Sequence, residues 1–244
     1  MSLLAVRGLG KRFGGLQAVR DLSFTVTDGE LVALIGPNGA GKTTVFALIS
    51  GFLAPDEGDV TFRGRALRGL PPHRVNALGL ARTFQIMRPF ARLSVVRNVM
   101  IATLGRHPDP RAAEARARAV LAEVGLEDRA AVPAGALTLA ERKRLELARA
   151  LGTEPALLLL DEVMSGLTTV ETARIVDLVR RINRRGVAVL LIEHVMGAVM
   201  SLADRVIVLD HGERIAEGPP GAVARDPRVI EAYLGDEHAG AAAP

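Results

Sequence analysis

The sequence predicts an α/β fold built on a parallel sheet, and three observations predict it. Apolar runs of strand length recur, as LVALIG (31–36), LLLLDE (157–162), VAVLLIEH (187–194) and RVIVLD (205–210). They are continuous rather than alternating, the pattern of strands buried on both faces. Helical stretches separate them, most clearly VETARIVDLVRRINRRG (170–186), and strand–helix–strand order implies parallel strands. Finally, a Gly-rich turn follows the first of these runs and opens a helix.

Taken in order, LLAV (3–6) and LSFTV (22–26) read as strands, punctuated by FGG and TDGE. After LVALIG and its turn, TTVFALISG is a helix closed by Gly51. DVTFRGRAL (59–67) suggests a strand pair. From about residue 87 the rhythm changes to two Arg-rich helices, PDPRAAEARARAVLAEVGL (108–126) and LTLAERKRLELARALG (137–152). Near the end, VIVLDHGERIAEG (206–218) reads as a hairpin turning at His211–Gly212. The expected organisation is a nucleotide-type core with antiparallel strands over 1–86 and 153–237. A helical subdomain over 87–152 interrupts it, and HAGAAAP (238–244) forms a frayed tail.

Composition bounds the function. At 244 residues and 49% hydrophobic, the chain can bury a sizeable core. No apolar run approaches the ~18 residues needed to cross a bilayer. The opening MSLLAVRGLGKR lacks the basic-then-apolar order of a secretory leader. There are no cysteines, which excludes disulfides and thiolate metal sites. A net charge of +4 spread along the chain predicts no nucleic-acid footprint. The clusters RKR (142–144) and RRINRR (180–185) are expected to be solvated helix faces. Lysine occurs only at 11, 42 and 143, so Lys42 stands out.

Lys42 lies in GPNGAGKTT (36–44), which matches G-x-x-x-x-G-K-[ST] at Gly36, Gly41, Lys42 and Thr43. Glycines let backbone amides converge on an anion at the positive end of the next helix. Lysine then meets the β- and γ-phosphates, and a threonine hydroxyl can ligate Mg²⁺. The nucleotide-binding set is accordingly Gly36, Asn38, Gly39, Gly41, Lys42, Thr43 and Thr44. A second strand must end in a carboxylate for the metal, held through water. LLLLDE supplies Asp161 for that role and Glu162 to polarise the attacking water. His194 ends the next apolar strand on the same sheet edge, where ligands of open α/β sheets bind, and is expected to contact the γ-phosphate.

With GPNGAGKTT, RTFQ (82–85), LTLAERKRLELARAL, LLLLDE and IEH (192–194) in this order, the chain resembles the nucleotide-binding subunits of ATP-binding cassette (ABC) transporters over nearly its whole length. GKRFGGLQAVRDLSF, RTFQIMRPFARLSVVRNVMIA and VIEAYLG make it most similar to the ATPase subunits of branched-chain amino-acid importers. The resemblance implies a P-loop NTPase (RecA-like) core with an antiparallel β subdomain and an inserted helical subdomain. It implies ATP and Mg²⁺ as ligands, with Phe13 stacking on adenine and Gln85 sensing the γ-phosphate and Mg²⁺. It further implies a peripheral place on the cytoplasmic face of the membrane, a groove in the insert for a permease helix, indirect service of a solute-binding protein, and head-to-tail ATPase dimers.

One stretch departs from the family. Where LSGGQ presents a hydroxyl and glycine amides to the partner's γ-phosphate, this chain has Thr138, Leu139, Ala140 and Glu141 after Leu137. Glu141 sets a carboxylate near a polyphosphate, which in isolation is unfavourable. T-L-A-E is also a capping box, and both roles can hold at once because each uses a helix N-terminus. Val163 stands where the family has proline, and Thr168 in SGLTT where an Asp or Asn reaches across the dimer. Three altered cross-dimer features beside a complete cis site imply an asymmetric pair with a second ATPase subunit, although a homodimer stays open. The importer reading competes with a lipid or glycolipid exporter ATPase, a non-transport ATPase acting on DNA or ribosomes, and a binding-only module. The DNA or ribosome reading would need coiled arms or tandem cassettes. Glu162, Gln85 and His194 speak against lost catalysis.

Overall fold

The structure, a computed structural model, describes residues 2–86 and 88–240, with side chains through 233. The chain opens with β1 (Ser2–Phe13) and β2 (Leu16–Thr27), a long antiparallel hairpin turning at Gly14–Gly15. Next come β3 (Leu31–Ile35), α1 (Lys42–Ile49), β4 (Glu57–Phe62), β5 (Arg65–Ala66), α2 (Pro72–Ala77) and β6 (Leu80–Arg82). Three helices follow, α3 (Val95–Thr103), α4 (Pro110–Val124) and α5 (Leu139–Leu151). The rest alternates: β7 (Leu157–Asp161), α6 (Thr169–Arg184), β8 (Ala188–Ile192), α7 (Met196–Leu202), β9 (Arg205–Asp210) and β10 (Glu213–Gly218). Helices α8 (Pro220–Val223) and α9 (Pro227–Gly240) close the described chain. The expected frayed tail thus begins inside α9, and its residues 241–244 lie outside the described residues.

Two sheets result. One is antiparallel in the order β2-β1-β4-β5; the other runs β10-β9-β3-β8-β7-β6, parallel except for β10. The continuous apolar strands are explained by what covers them. Successive strand residues face opposite sides, so Leu157 and Leu159 of β7 join the core shared with α1 and the antiparallel sheet. Leu158 and Leu160 join the core formed with α3, α4, α5 and α6. β3 and β8 divide in the same way, through Val32, Leu34, Ala188 and Leu190 on one side and Leu31, Val189 and Leu191 on the other. The hairpin of β9 and β10 turns at His211 and Gly212, both at positive φ (45° and 82°), as a two-residue type I′ turn requires.

Two functionally placed elements carry too little periodic signal for the sequence to assign. β6 is only three residues long and exists because it pairs parallel to β7, from Leu80↔Leu157 to Arg82↔Leu159. That pairing delivers Thr83, Phe84 and Gln85 to the carboxyl edge of the sheet. α3 is rich in β-branched valine, which lowers helix propensity. Packing overrides the propensity: Val95 and Val99 are fully buried in the core that α4 and α5 also line. Ser94 caps α3 by accepting from the Arg97 amide. Among the described residues between β6 and β7, three α-helices thus pack on one core, where the sequence offered two.

Candidate functional site

The carboxyl ends of β3, β6, β7 and β8 share one sheet edge, and the residues singled out by sequence gather there. β3 ends at Ile35, and residues 36–41 form a loop into α1 with Gly36, Gly39 and Gly41 at φ 147°, 80° and 98°. A Cβ on Gly36 would fall 2.0 Å from the Leu209 carbonyl oxygen, and one on Gly41 2.3 Å from that of Ala18. These glycines are thus demanded first by the chain's own close packing, whereas Gly39 has open space around its would-be Cβ. Lys42 Nζ donates to the carbonyls of Gly36 and Pro37, each at 2.7 Å, folding the ammonium back over the loop. α1 has no side-chain N-cap and no acid in its first turn, which leaves its positive end suited to an anion. Asn38 and Thr43 are exposed on this loop and helix start, and Thr44 is half-buried.

Asp161 ends β7 with only 2% of its surface exposed. Its Oδ2 accepts from Arg82 Nη2 at 2.8 Å, and its amide donates to Thr83 Oγ1 at 3.1 Å. Burial pushes the Asp161 carboxyl up, and the Arg82 guanidinium opposes that shift. Arg82 itself lies within 6 Å of three aromatic rings, 5.7 Å from Phe46, 5.9 Å from Phe52 and 5.3 Å from Phe84.

Glu162 is a non-glycine residue at φ 48°, a conformation costly for L side chains unless surrounding contacts impose it. Its amide donates to the Ile192 carbonyl at 3.0 Å. Its carbonyl accepts from Lys143 Nζ at 2.7 Å, and its Oε2 accepts from Gln85 Nε2 at 2.6 Å. Lys143 belongs to the RKR cluster expected on a solvated face, yet it is 5% exposed. The correction has a physical reason: Lys143 sits on the face of α5 that carries Leu147 and Glu146 inward, so its stem packs and its ammonium meets the end of β7. Burial lowers its pKa, while the nearby Glu193, Glu162 and Asp161 carboxylates hold it up. Glu193 follows β8, is itself buried, and accepts from the Met164 amide at 2.8 Å. Beside it His194 is exposed at the same edge. Phe13 stands apart at the end of β1, 45% exposed, with Lys11 Nζ 5.6 Å from its ring centre.

The departing stretch is a cap. Thr138 is the N-cap of α5, its Oγ1 accepting from the Glu141 amide at 3.3 Å and its own amide donating to Glu141 Oε2 at 2.9 Å. Glu141 Oε1 also accepts from Arg129 Nε at 2.8 Å. The carboxylate is therefore charge-paired and turned back, which removes much of the objection to a nearby phosphate. Ala140 is half-buried and Leu139 exposed, with Leu139 Cδ2 3.2 Å from where Gly166 would carry a Cβ. Thr168 makes a second capping box at the start of α6, donating to Glu171 Oε2 at 2.8 Å. Val163 is buried just beyond Glu162.

Together these residues fit a nucleotide with a magnesium ion. Thr43, Arg82, Gln85 and Asp161 line one cleft of about 480 Å³. Among the described residues no three His, Cys, Asp or Glu side chains converge on a metal position. Mg²⁺ takes one or two protein oxygens plus phosphate and water, and the cleft is lined by the Thr43 and Asp161 side chains that would supply them. Sequence reasoning passed over Arg82, Lys143 and Glu193. Lys143 was discoverable as one of three lysines in the chain, and Glu193 as a charge following a fully apolar strand.

Comparison with known proteins places this geometry. The family model described as "ABC transporter" matches residues 19–165, and that of "Branched-chain amino acid ATP-binding cassette transporter" matches 213–239. The high-affinity branched-chain amino acid transport ATP-binding protein LivG of Salmonella typhimurium is 40% identical over 96% of this chain and 98% of its own. BraF of Pseudomonas aeruginosa, described in the same words, is 39% identical over the same shares. Among solved structures, a nucleotide-free ATP-binding cassette from an ABC transporter superposes with a TM-score of 0.88 at 29% identity, covering 96% of this chain and 99% of that one. An ADP conformation of such a cassette gives 0.88 at 30% identity with the same coverage.

The cap yields a pH-dependent prediction. The hydrogen bond from the Thr138 amide, followed by Arg129, holds Glu141 below its ordinary 4.5. Its stabilisation is complete above that pH and is lost as pH falls through the lowered folded-state value. Thr138→Ala should cost about 1 kcal/mol in urea unfolding at neutral pH. Glu141→Gln should be less stable than the parent at neutral pH, with the gap closing as pH falls below 4.5 and through the lowered folded-state value. A gap that is unchanged down to acid pH would contradict the assignment.

Proposed function

The chain belongs to the family of ABC transporter ATP-binding proteins, and from that premise we propose that it powers uptake of branched-chain or related amino acids through a membrane permease. One observation carries the hydrolytic part of this reading. The phosphate loop, Asp161, Glu162 and His194 share one sheet edge, with Gln85 bonded to Glu162 at 2.6 Å. The solute class is supported by what the relatives at 39–40% identity are named for, and by the match over 213–239.

In this reading the amides of Gly36 to Lys42 and the Lys42 ammonium hold the β- and γ-phosphates. Asn38 and Gly39 border them, and Thr44 supports the turn. Phe13, exposed at the end of β1, offers its ring to adenine. Thr43, Gln85 and, through water, Asp161 would hold Mg²⁺. The ion, when bound, offsets phosphate charge. Glu162 accepts a hydrogen bond from water and aligns its oxygen with the γ-phosphorus, and Gln85 fixes the carboxylate while it does so. His194 reaches the γ-phosphate from the end of β8. Release of phosphate removes the charge that closed the site.

The subunit then sits on the cytoplasmic face, with its helical insert against the permease; a solute-binding protein delivers the cargo outside. No described helix is long and apolar enough to cross a membrane. A second ATPase subunit faces the nucleotide, and Thr138 to Glu141 present the start of α5 to that subunit's γ-phosphate. Thr168 and Glu141 are both committed to capping their own helices, which favours a heterodimer whose partner brings the stronger signature.

Two outcomes follow. Lys42→Ala should lower ATP-driven accumulation of leucine by the assembled transporter at least about tenfold, as expected for one charge-assisted contact worth ~1.5–3 kcal/mol. Undiminished uptake would refute the assignment. Titrating this chain with an equimolar second ATPase subunit should raise the ATPase rate severalfold, and full activity of this chain alone would rule out the asymmetric pair.

A further inference from the structure

We propose that Lys143 is a positioning residue for hydrolysis, tying the helix that begins at Thr138 to the main chain of Glu162. The inference rests on the ATPase reading above and adds a residue to it. Lys143 lies just over one turn past the α5 cap, and its Nζ donates to the Glu162 carbonyl at 2.7 Å. That carbonyl belongs to the residue held at φ 48°, whose amide is fixed from the other side by Ile192 at 3.0 Å. The left-handed turn is thus clamped on both flanks. One clamp is the β-sheet; the other is the helix bearing the altered signature.

A blander account makes Lys143 a counter-charge for buried Glu193. The geometry decides between them. The ammonium donates to the Glu162 main chain, while Glu193 Oε1 is taken by the Met164 amide and Glu193 Oε2 has no hydrogen-bond partner among the described residues. A neutralising lysine would be expected to satisfy that oxygen, because an unpartnered buried carboxylate oxygen is costly. Immobilising a lysine side chain also forfeits rotamer entropy, of which a core-filling leucine would forfeit less. The ammonium therefore acts where its bond goes: it sets the backbone from which the Glu162 carboxylate reaches Gln85 and the attacking water. Any displacement of Thr138 to Glu141 by a partner's nucleotide passes along α5 into that bond.

The test uses the assembled transporter with Lys143→Met and Lys143→Arg. Lys143→Met should lower kcat for ATP about tenfold or more, leave KM and fluorescent-ATP affinity within about twofold, and regain most of the rate as Lys143→Arg, which still donates to a carbonyl. An unchanged kcat overturns the proposal. So does a joint loss of kcat, affinity and Tm that arginine does not rescue. The Lys143→Met, Glu193→Gln double variant keeps the pocket's charge balance and separates the two accounts: recovery of kcat means the lysine only neutralises Glu193, and a persistently low kcat with intact affinity supports positioning. If neither methionine variant folds, Lys143 is a folding residue and the proposal fails. A parent transporter that binds ATP but hydrolyses none is a different result, and it removes the ATPase reading along with the inference.

Discussion

The conformation of Glu162 is the constraint on which the site depends. β7 ends at Asp161 and Glu162 follows directly; the two carboxylates meet different partners, and an extended strand through both would send them to opposite faces of the sheet. The turn at φ 48° resolves this. Asp161 stays in the ladder and meets Arg82, while Glu162 swings to Gln85. The turn holds because the sheet continues past it, with the Glu162 amide bonded to the last residue of β8. Parallel pairing of β3, β8 and β7 then places the phosphate loop, this turn and His194 at one level.

The same edge concentrates charge in a dry setting. Asp161, Glu193 and Lys143 are buried and Arg82 nearly so. Removing one member of such a buried pair costs about 3–5 kcal/mol, more than most single contacts contribute. The charges are consequently interdependent. Burial pushes the Asp161 carboxyl up and the Lys143 ammonium down, and in each case the neighbouring opposite charge, Arg82 for Asp161 and Glu193, Glu162 and Asp161 for Lys143, opposes the shift. Above this buried set, Gln85, His194 and Phe13 are exposed.

What the sequence disclosed follows the range of the interactions involved. The phosphate loop was legible because its glycines answer local backbone demands, at φ 98° for Gly41 and within 2.3 Å of a neighbouring carbonyl. The box at Thr138 was legible because it spans four consecutive residues; T-T-V-E at Thr168 carries the same signature and could have been read the same way. The β7–β8 pair was visible as apolar runs. Burial of Lys143 was not, since RKR on a helix looks identical whether or not another strand end covers it. β6 was invisible for the same reason: three residues become a strand only through the partner they pair with. The pairing of Arg82 with Asp161 joins residues 79 apart and needs that strand first.

The proposed role of Glu162 is to carry the hydrolytic step at a site that binds ATP without it. Rapid-quench single turnover of the assembled transporter with Glu162→Gln and substoichiometric Mg-ATP tests this most directly. We expect ATP to bind as tightly as in the parent and to be recovered almost entirely as ATP over times in which the parent converts it to ADP. Formation of ADP at the parent rate would place the chemistry elsewhere and contradict the role of the turn.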